Sequence, residues 1–452
     1  MGTTKRKTEN VRDRVAAFRN LRGIWRSRGY GQLLVIGRNG YTLHEETRVS
    51  CLPVFEGSLR ELALHYADIR VSSGGQAFSV RRAAGITRIK YRRLKAMPSN
   101  CGAYDDAKRR DPVYNFDTLW HTFAEHYASF DLRGVDWHAV YEEFQPLVSS
   151  ETSSRDFFRM ATSALGLLGD GHVHLHTPHG NFNAGDPPPL FERLAAELDR
   201  ADDSRDVNTY LAELREWLRD TIQEDYLTSG SRRACNRLLE WGALDESTGY
   251  LAIRAMAGHS GRIGNPQADV EAVDAAMTRA LKTLPSKSML VVDLRGNGGG
   301  YDTVALRLAS YFLDRKRLAF TKAARRADGF TGDQPIYLTP QRKTRYTGPL
   351  LVLTSGLTAS AAEVFVLALL QRPDLTLVGE TTQGILSDAH ERHLPNGWMV
   401  TLSNELYRAS DGELYEGVGI PPHVEIPYLH ARDRRTGRDS MLDYAMNLSK
   451  SL

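Results

Sequence analysis

Long apolar runs are missing from this chain of 452 residues, and cysteine is scarce. No apolar segment approaches the length of about 20 residues that a membrane-spanning helix needs, so we expect no membrane association. The three cysteines, Cys51, Cys101 and Cys235, are scattered and match neither a disulfide framework nor a zinc site. The polar N-terminus has no apolar core of the kind that a secretory signal contains. Together these absences predict a cytoplasmic protein in a reducing compartment.

Motifs for phosphates, dinucleotides and metals are also absent. The glycine-rich segment 296–300 is not followed by the Gly-Lys-Ser/Thr of a phosphate-binding loop. About twenty residues beyond it, where a dinucleotide site requires an acidic residue, the chain has the basic stretch 315–317. Near the histidines of segment 172–176, neither cysteine nor carboxylate recurs at metal-ligand spacing. We therefore expect neither a metal nor an organic cofactor.

Length and composition indicate a globular protein of two or three domains. Hydrophobic residues make up 41% and charged residues 25%, which is typical of globular proteins that fold in water. A chain of this length is too long for one small domain. The pattern predicts a basic N-terminal β module over residues 1–105, a helical subdomain over 106–248 and an α/β core over 249–452.

The N-terminal module alternates short apolar runs with turn residues. The Asn39-Gly40 pair between two such runs is a strong hairpin signal, and the runs together predict a small antiparallel sheet or barrel. Basic clusters occur at 5–7, 81–82 and 92–95. Such clusters can bind nucleic acid, but neither an aromatic stacking pattern nor a recognition helix accompanies them. Nucleic acid is therefore an unlikely partner, and a solvated surface is the favoured interpretation.

The middle and C-terminal parts have different periodicities. Segments 115–164 and 190–239 are amphipathic and predict helices, and a loop is expected over 181–189. From residue 249 onward, buried-type strands alternate with helices, which predicts an α/β fold with a mainly parallel sheet. Segments 399–402 and 405–408 are predicted as two late strands that form a hairpin.

Ser360 stands at the point where a predicted strand meets a predicted helix. The strand covers 350–354 and the helix covers 361–370, with small residues around the serine. A hydroxyl at such a junction lies near the unpaired N–H groups of the first helical turn, whose positive end favours a developing oxyanion. The alternative is that Ser360 only caps the helix.

Two further segments supply the chemistry that a serine nucleophile needs. The apolar strand 289–294 runs into glycine-rich segment 296–300, where the lack of Cβ atoms lets main-chain N–H groups approach a ligand. Upstream, His172, His174 and His176 alternate, so on a strand they would share one face, and one of them could act as a general base. A polar strand face without catalytic function is the alternative.

In this order along the chain, the motifs resemble those of the C-terminal processing, or tail-specific, serine peptidases. The resemblance is strongest to the branch related to the tricorn core protease and the interphotoreceptor retinoid-binding protein. Its residues are Gly169-Asp170-Gly171-His172, Asp293 to Gly300, Thr358 to Glu363, Gly379 to Gly384 and Glu416 to Pro422. It implies a crotonase/ClpP-like peptidase core with a helical subdomain. Segment 190–239 lacks the strands and the carboxylate-binding loop of a PDZ domain, so none is expected.

The resemblance also implies roles for individual residues. Ser360 would be the nucleophile, His172 the general base and Glu416 the acid that orients the histidine. The oxyanion hole would combine the main-chain N–H of Ala361 with that of Gly298 or Gly299.

Alternatives for two of these roles stay open. Ile385 occupies the position where the bacterial tail-specific branch has its lysine base, so Ser–His–Glu is favoured over a Ser–Lys dyad. Glu363, Asp170 and Asp388 are rival acids, and His174 and His176 are the rival bases.

The sequence thus predicts a serine-type endopeptidase that cleaves unfolded or extended polypeptides through an acyl-enzyme on Ser360. Its partner would be a peptide or protein substrate, and relatives of the tricorn type suggest a homo-oligomer. One alternative is a catalytically silent protein that binds peptides or lipophiles, as the retinoid-binding relatives do. Another is a peptidase that its basic N-terminal module recruits to an acidic partner.

Overall fold

The computed structural model describes residues 10–82, 85–102, 106–262, 264–285 and 288–451. The basic cluster at 5–7 lies outside these residues. The chain divides into two compact units, each built from separate stretches of sequence. Unit 1 comprises Met1–Gly185, Lys322–Gln334 and Ser387–Leu406, and unit 2 comprises Asp186–Thr321, Pro335–Leu386 and Tyr407–Leu452.

Strands and helices are numbered in chain order. The strands are β1 Gly23–Ser27, β2 Gln32–Ile36, β3 Gly40–Glu46, β4 Cys51–Ser58, β5 Tyr66–Val71, β6 Ala77–Arg82, β7 Arg88–Leu94, β8 His174–Thr177, β9 Gly180–Asn183, β10 Arg232–Ala234, β11 Leu239–Ala243, β12 Thr248–Ile253, β13 Met289–Asp293, β14 Arg317–Arg326, β15 Gly329–Phe330, β16 Gln334–Leu338, β17 Leu350–Thr354, β18 Leu375–Gly379, β19 Ala389–His393, β20 Met399–Ser403, β21 Glu405–Ala409 and β22 Val424–Glu425. The helices are α1 Val11–Asn20, α2 Leu59–His65, α3 Asp106–Arg110, α4 Pro112–His126, α5 Phe130–Arg133, α6 Trp137–Phe144, α7 Ser154–Gly166, α8 Pro189–Arg200, α9 Val207–Thr221, α10 Pro266–Thr283, α11 Asp302–Ala309, α12 Ala361–Leu369, α13 Ala431–Thr436 and α14 Ser440–Ser449.

The N-terminal part of unit 1 is an antiparallel sheet in the order β4-β3-β2-β1-β7-β6-β5. The hairpin predicted at Asn39-Gly40 is confirmed, because β2 and β3 pair with Ile36 opposite Tyr41. One face of the sheet packs against α1 and α2 through the aromatic residues Trp25, Phe78 and Tyr91. Both helices were missed by the sequence prediction, which expected strands alone. The opposite face carries the alternate residues of each strand.

Cys51 and Cys101 form a disulfide across 50 residues of sequence, so the prediction that the cysteines are unpaired is wrong. Their Cα atoms lie 4.8 Å apart, and the bond ties β4 to the segment that follows β7. Spacing alone could not reveal the pair, because the intervening strands bring its two members together. Disulfides are typical of oxidising compartments, so this bond counts against the predicted reducing environment.

No helix in the described ranges is long and apolar enough to cross a membrane.

The rest of unit 1 combines helices α4 to α7 with a small sheet in the order β19-β20-β8-β9. Helices α4 and α6 are joined by a reciprocal pair of hydrogen bonds: Trp120 Nε1 donates to the Trp137 carbonyl at 2.8 Å, and Trp137 Nε1 donates to the Trp120 carbonyl at 3.0 Å. Two predictions are wrong here. Part of the expected loop 181–189 belongs to strand β9, and β20 pairs with β19 and β8 rather than forming a hairpin with the following strand.

Unit 2 is built on a sheet in the order β10-β11-β12-β13-β17-β18-β22, in which β12 to β22 run parallel. Every residue of β13 and β17 is buried, as expected of strands covered on both faces. The predicted helix over 190–239 is confirmed for α8, for α9 and for a π-helical turn at Ile222–Tyr226. Residues 232–234 and 239–243 form strands β10 and β11. Strand β11 pairs with β12, and β10 pairs with β11, so the two strands extend the sheet. The predicted α/β class is confirmed.

Candidate active site

Ser360 lies between the end of β17 and the first residue of α12, as the sequence predicts. Its backbone has φ +55° and ψ −125°, a conformation that residues with a Cβ rarely adopt. Such strain persists only where the surrounding structure fixes it, and it is common at catalytic residues. Helix α12 is buried all round, which anchors this turn in unit 2.

The glycine-rich segment packs directly against this turn. A Cβ atom placed on Gly299 would lie 2.7 Å from the Cβ of Ser360 and 2.9 Å from the N of Ala361. Gly299 also has φ +98°, which favours glycine. Only a residue without a side chain therefore brings the 296–300 main chain this close to the serine.

The main-chain N–H groups of this segment differ in their partners. The Gly299 N–H donates to Asn297 Oδ1 at 2.9 Å, and Asn297 Nδ2 donates to the Ile253 carbonyl at 2.9 Å. Gly298 is exposed, and its N–H has no hydrogen-bond partner among the residues that the structure describes. Of the two glycines named by the sequence, Gly298 therefore has the N–H that is open to a ligand.

A buried ion-pair network holds the start of the glycine-rich segment. Arg295 contacts Asp293 Oδ2 at 2.8 Å and Asp439 Oδ2 at 2.9 Å, and all three side chains are buried. The Tyr250 hydroxyl donates to Asp293 at 2.7 Å. Burial alone would raise the pKa of Asp293, but Arg295 outweighs it and lowers this pKa to about 2. Sequence reasoning missed Tyr250 and Asp439, since neither lies near the Asp-Leu-Arg-Gly motif in the chain.

Glu363 connects Ser360 to the segment after β18. Its fully buried carboxylate accepts hydrogen bonds from the Ser360 N–H at 3.0 Å, Thr382 Oγ1 at 2.6 Å, the Gly384 N–H at 2.7 Å and the Ile385 N–H at 2.9 Å. Burial raises the pKa of Glu363 to about 6, although these hydrogen bonds oppose the shift. A carboxylate engaged by four donors of the surrounding main chain and side chains holds the turn in place.

Glu416 is the second buried carboxylate of this part of unit 2. Its exposed fraction is 1%, and Oε2 accepts a hydrogen bond from the Leu386 N–H at 2.9 Å. The turn that follows Glu416 is tied to the same segment, because the Gly417 N–H donates to the Gly384 carbonyl at 2.8 Å. Both acids thus contact segment 382–386, Glu363 from α12 and Glu416 from the 416–420 turn.

His172 belongs to unit 1, in the turn between α7 and β8. The His172 N–H donates to Asp170 Oδ1 at 2.8 Å, and Thr401 Oγ1 donates to the His172 carbonyl at 2.6 Å. Asp170 is fully buried and also accepts a hydrogen bond from the Tyr127 hydroxyl at 2.9 Å. Burial lowers the pKa of His172, while Asp170 and Asp388 raise it. The neutral imidazole that results at neutral pH is the form that a general base requires.

The other two histidines lie on strand β8 itself. The alternation predicts that three histidines share a strand face, and this holds only for His174 and His176, because His172 lies in the turn before β8. The rings of His174 and His176 are parallel with centroids 5.9 Å apart. His174 contacts Asn183 and His176 contacts Asn181. Burial and the neighbouring His176 lower the pKa of His174. No group of side chains suited to hold a metal ion occurs in the part of the chain that the structure describes.

The predicted site residues are divided between the two units. Unit 2 contains Ser360, Ala361, Gly298, Gly299 and Glu416, together with the rival acid Glu363. Unit 1 contains His172 with its rivals His174 and His176, and the two aspartates Asp170 and Asp388. Within unit 2 the structure brings the serine, the glycine-rich segment and Glu363 into contact. Within unit 1 it places Asp170 on the main chain of His172.

Two stretches of the chain match models of known protein families. Residues 247–426 match the model of peptidase family S41, and residues 108–166 match the tricorn protease C1 domain. The carboxy-terminal processing protease CtpA of Bacillus subtilis is 29% identical over 165 residues, which cover 34% of each chain. Tricorn protease homolog 1 of Streptomyces coelicolor is 22% identical over 389 residues, covering 74% of this chain and 34% of that protein. The matched part spans about a third of the length of these curated relatives.

Solved structures agree with the family. A protein from Parabacteroides merdae, named as a peptidase, is 25% identical with a TM-score of 0.60, and the match covers 75% of this chain and 96% of that one. Mature CPAF in complex with lactacystin is 13% identical with a TM-score of 0.50, over 76% of this chain and 98% of that one, which reflects the fold alone. Residues 247–426 are therefore assigned as a domain of peptidase family S41, and residues 108–166 as a tricorn protease C1 domain.

Proposed function

We propose that the chain is a serine endopeptidase that cleaves unfolded or extended polypeptides through an acyl-enzyme on Ser360. The observation that carries this proposal is the packing of Gly299 against Ser360 and Ala361. This contact sets a strained serine beside a main-chain segment whose Gly298 N–H is open to a ligand. A nucleophile next to preorganised N–H donors is the arrangement that acyl transfer requires.

In the proposed reaction, His172 accepts the proton of the Ser360 hydroxyl while Oγ attacks the carbonyl carbon of the scissile bond. The N–H groups of Ala361 and Gly298 stabilise the oxyanion that forms. The protonated imidazole then gives its proton to the leaving amine, and a water molecule activated by the same histidine hydrolyses the ester. This sequence requires His172 of unit 1 to reach Ser360 of unit 2.

Glu416 is proposed to fix the tautomer of His172 and to stabilise its cationic form. Its burial and its position on a turn bound to segment 382–386 support this role, because a fixed carboxylate orients a ring better than a mobile one. Glu363 is the weaker candidate for the same role, since its oxygens already accept four hydrogen bonds. No step of this mechanism uses a cofactor.

Cleavage of a mixture of unstructured peptides, read by mass spectrometry with a chelator present, tests the proposal. We expect cleavage by the wild type and none by Ser360→Ala. A fluorophosphonate probe should add its mass to the wild type alone, because it modifies an activated serine. If folded wild type neither cleaves peptides nor takes up the probe, the catalytically silent binding protein becomes the better assignment. Equal cleavage by both proteins would mean a different nucleophile.

The contact that carries the proposal has its own test. Gly299→Ala places a methyl group against Ser360 and should lower kcat/KM by about 10² to 10³, the loss typical of a damaged oxyanion hole. Gly412→Ala is the matched control, because Gly412 has a similar φ of +96° but no atom within 4 Å of a built Cβ. An equal loss in both variants would show that backbone strain, rather than the contact with Ser360, is responsible.

The proposal also includes a cellular location and an oligomeric state. A cytoplasmic location is what the sequence predicts, whereas the Cys51–Cys101 disulfide favours an oxidising compartment. Thiol labelling of the protein isolated from its cells decides between them, because a cytoplasmic protein would show both thiols free. The predicted homo-oligomer is tested by sedimentation of the purified chain.

A further inference from the structure

An open cavity of about 890 Å³ lies in unit 1, beside the face of the N-terminal sheet that points away from α1 and α2. Its walls come from β1, β7, the β3–β4 turn, the end of α4 and the turn after β14. Six arginines line it: Arg26, Arg28, Arg48, Arg92, Arg93 and Arg326. Only three acidic residues accompany them, so the walls carry a net positive charge.

These arginines fall into two groups. Arg26 pairs with Glu46 at 2.6 Å, and Arg326 pairs with Asp328. Arg93 is engaged as well, because it donates to the Arg22 carbonyl and lies over the Trp25 ring. The other three side chains, at 28, 48 and 92, are exposed and form no ion pair in the described ranges. Their guanidinium groups can therefore bind a ligand without first breaking an ion pair.

The strand register adds a second observation. Arg26 on β1 stands directly opposite Arg92 on β7, and Arg28 lies two residues along on the same face. Like charges directly opposite each other destabilise an antiparallel pair. Glu46 already compensates part of the charge of Arg26, and a bound anion would compensate the charge that remains on Arg28 and Arg92.

A buried polar group also faces the cavity. His126, at the end of α4, lines it with an exposed fraction of 5%, and neither ring nitrogen makes a well-formed hydrogen bond within the described residues. Burial, with Arg392 nearby, lowers the pKa of His126 to about 3, so the ring is neutral at neutral pH. The ring therefore adds no positive charge to the wall, and the arginines alone supply that charge.

We propose that this cavity binds an acidic segment of a polypeptide, rich in aspartate and glutamate. Planar guanidinium groups match carboxylates in a two-pronged geometry, and a volume below about 1,000 Å³ suits a few side chains. That the acidic segment belongs to a substrate, which would make the cavity a second substrate-binding site, rests on the proposed peptidase function.

Two features of the walls favour a polypeptide over a nucleic acid. None of the described residues that line the cavity is phenylalanine, tyrosine or tryptophan, so the stacking surface of a single-strand binding site is missing. The walls also include Glu46, Glu125 and Asp328, which would repel a continuous row of phosphates. Spaced carboxylates can avoid these acids and still reach the arginines.

The test uses the full-length chain with Ser360→Ala, so that binding is measured without cleavage. Fluorescence anisotropy compares a labelled peptide of aspartate and glutamate with its asparagine and glutamine counterpart. Arg28→Glu/Arg92→Glu should weaken the acidic peptide at least about tenfold, because close charge pairs dominate such binding. Arg92→Glu also sets an opposite charge across from Arg26, so the sheet should fold normally, which circular dichroism checks.

Arg12→Glu/Arg60→Glu is the matched control, because it changes the net charge equally on the exposed surfaces of α1 and α2. The proposal predicts that this control binds the acidic peptide about as tightly as the parent, and that the neutral peptide binds to none of the proteins. Equal losses in both double variants, or equal binding of both peptides, would overturn it. Tighter binding of single-stranded DNA than of the peptide, lost in the cavity variant, would assign the surface to nucleic acid instead. Peptide cleavage by the wild type is measured separately, so failure of one proposal leaves the other intact.

Discussion

The charged groups near Ser360 and those on the outer face of the N-terminal sheet are organised in opposite ways. Around the serine, Arg295 and Glu363 are buried, and each has several partners at hydrogen-bond distance. On the sheet face of unit 1, Arg28 and Arg92 are exposed, and Arg92 stands opposite another arginine. The first arrangement fixes a main-chain geometry, and the second leaves charge available to a ligand.

The two arrangements suggest how a role can be assigned to a charged residue. A buried charge without a partner is very costly. The partners of a buried charge therefore show which part of the chain it holds in place. An exposed charge costs little, so its meaning comes from neighbours of the same sign and from the shape of the surface around it. Removal of a charge should therefore lower the stability of the region around Ser360 and raise the stability of the sheet face in unit 1.

The largest effect should follow a change at Glu416. Glu416→Gln keeps the shape of the side chain but cannot stabilise a cationic histidine, so kcat should fall by about 10³ to 10⁴. Asp388→Asn is the matched control, because Asp388 is the rival acid that acts on the pKa of His172 within unit 1. Steady-state kinetics of both variants measures the effect. If Asp388→Asn shows the large loss and Glu416→Gln does not, the orienting acid is Asp388.

Arg295→Gln should give the largest loss of stability. The substitution leaves Asp293 and Asp439 buried without their cation, and broken buried pairs typically cost about 3 to 5 kcal/mol of unfolding free energy. Urea unfolding measures it. A loss below about 1 kcal/mol would mean that water or another cation replaces Arg295, and that the network does not hold the glycine-rich segment.

The position of Ser360 between a strand and a helix could be predicted because the local pattern determines it. Ser360 lies between an apolar strand and an apolar helix, and the glycines at 298 and 299 follow a buried strand, so each feature is visible within about ten residues. The resemblance to a peptidase family then ordered these features along the chain, and the family matches confirm it.

What the sequence did not reveal depends on contacts between distant segments. The Cys51–Cys101 bond spans 50 residues, and the Arg295–Asp439 pair spans 144. Strand β10 lies within the segment predicted as helix, because its pairing with β11 at the edge of the sheet is a contact that the local pattern does not show. The division of the chain into 1–105, 106–248 and 249–452 and the roles assigned to the site residues stay predictions.

Titration of Glu363 should make the activity depend on pH. Its pKa of about 6 means that the carboxylate which holds the Ser360 N–H becomes protonated as the pH falls through 6. Activity should therefore decline on this acid limb in addition to the effect of His172. Glu363→Gln cannot titrate, so it should remove this part of the decline and lower kcat at pH 8 by about 10 to 100-fold through misplacement of the turn. Profiles of kcat against pH for both proteins measure it.

The contribution of Glu363 to the free energy of unfolding should change with pH in the direction opposite to the activity. Because the folded-state pKa of Glu363 is raised above its ordinary value of 4.5, its protonated form favours the folded protein, and this contribution is lost as the pH rises from 4.5 through 6. The loss should reach about 2 kcal/mol above pH 7. Glu363→Gln should abolish that dependence in urea unfolding at pH 4 and pH 8. An unchanged dependence would show that another group causes it.

The smallest effect is expected on the arginine face, and its sign is what matters. Arg92→Gln removes the repulsion with Arg26 across β1 and β7, so the free energy of unfolding should rise by about 0.2 to 1 kcal/mol. Arg60→Gln on α2 has no such neighbour and should leave stability unchanged. High salt should shrink the gain, because exposed charges are screened. A loss of stability in Arg92→Gln would mean that Arg92 holds the sheet together. Arg92 would then have a structural role like that of Arg295, and the difference between the two regions would not hold.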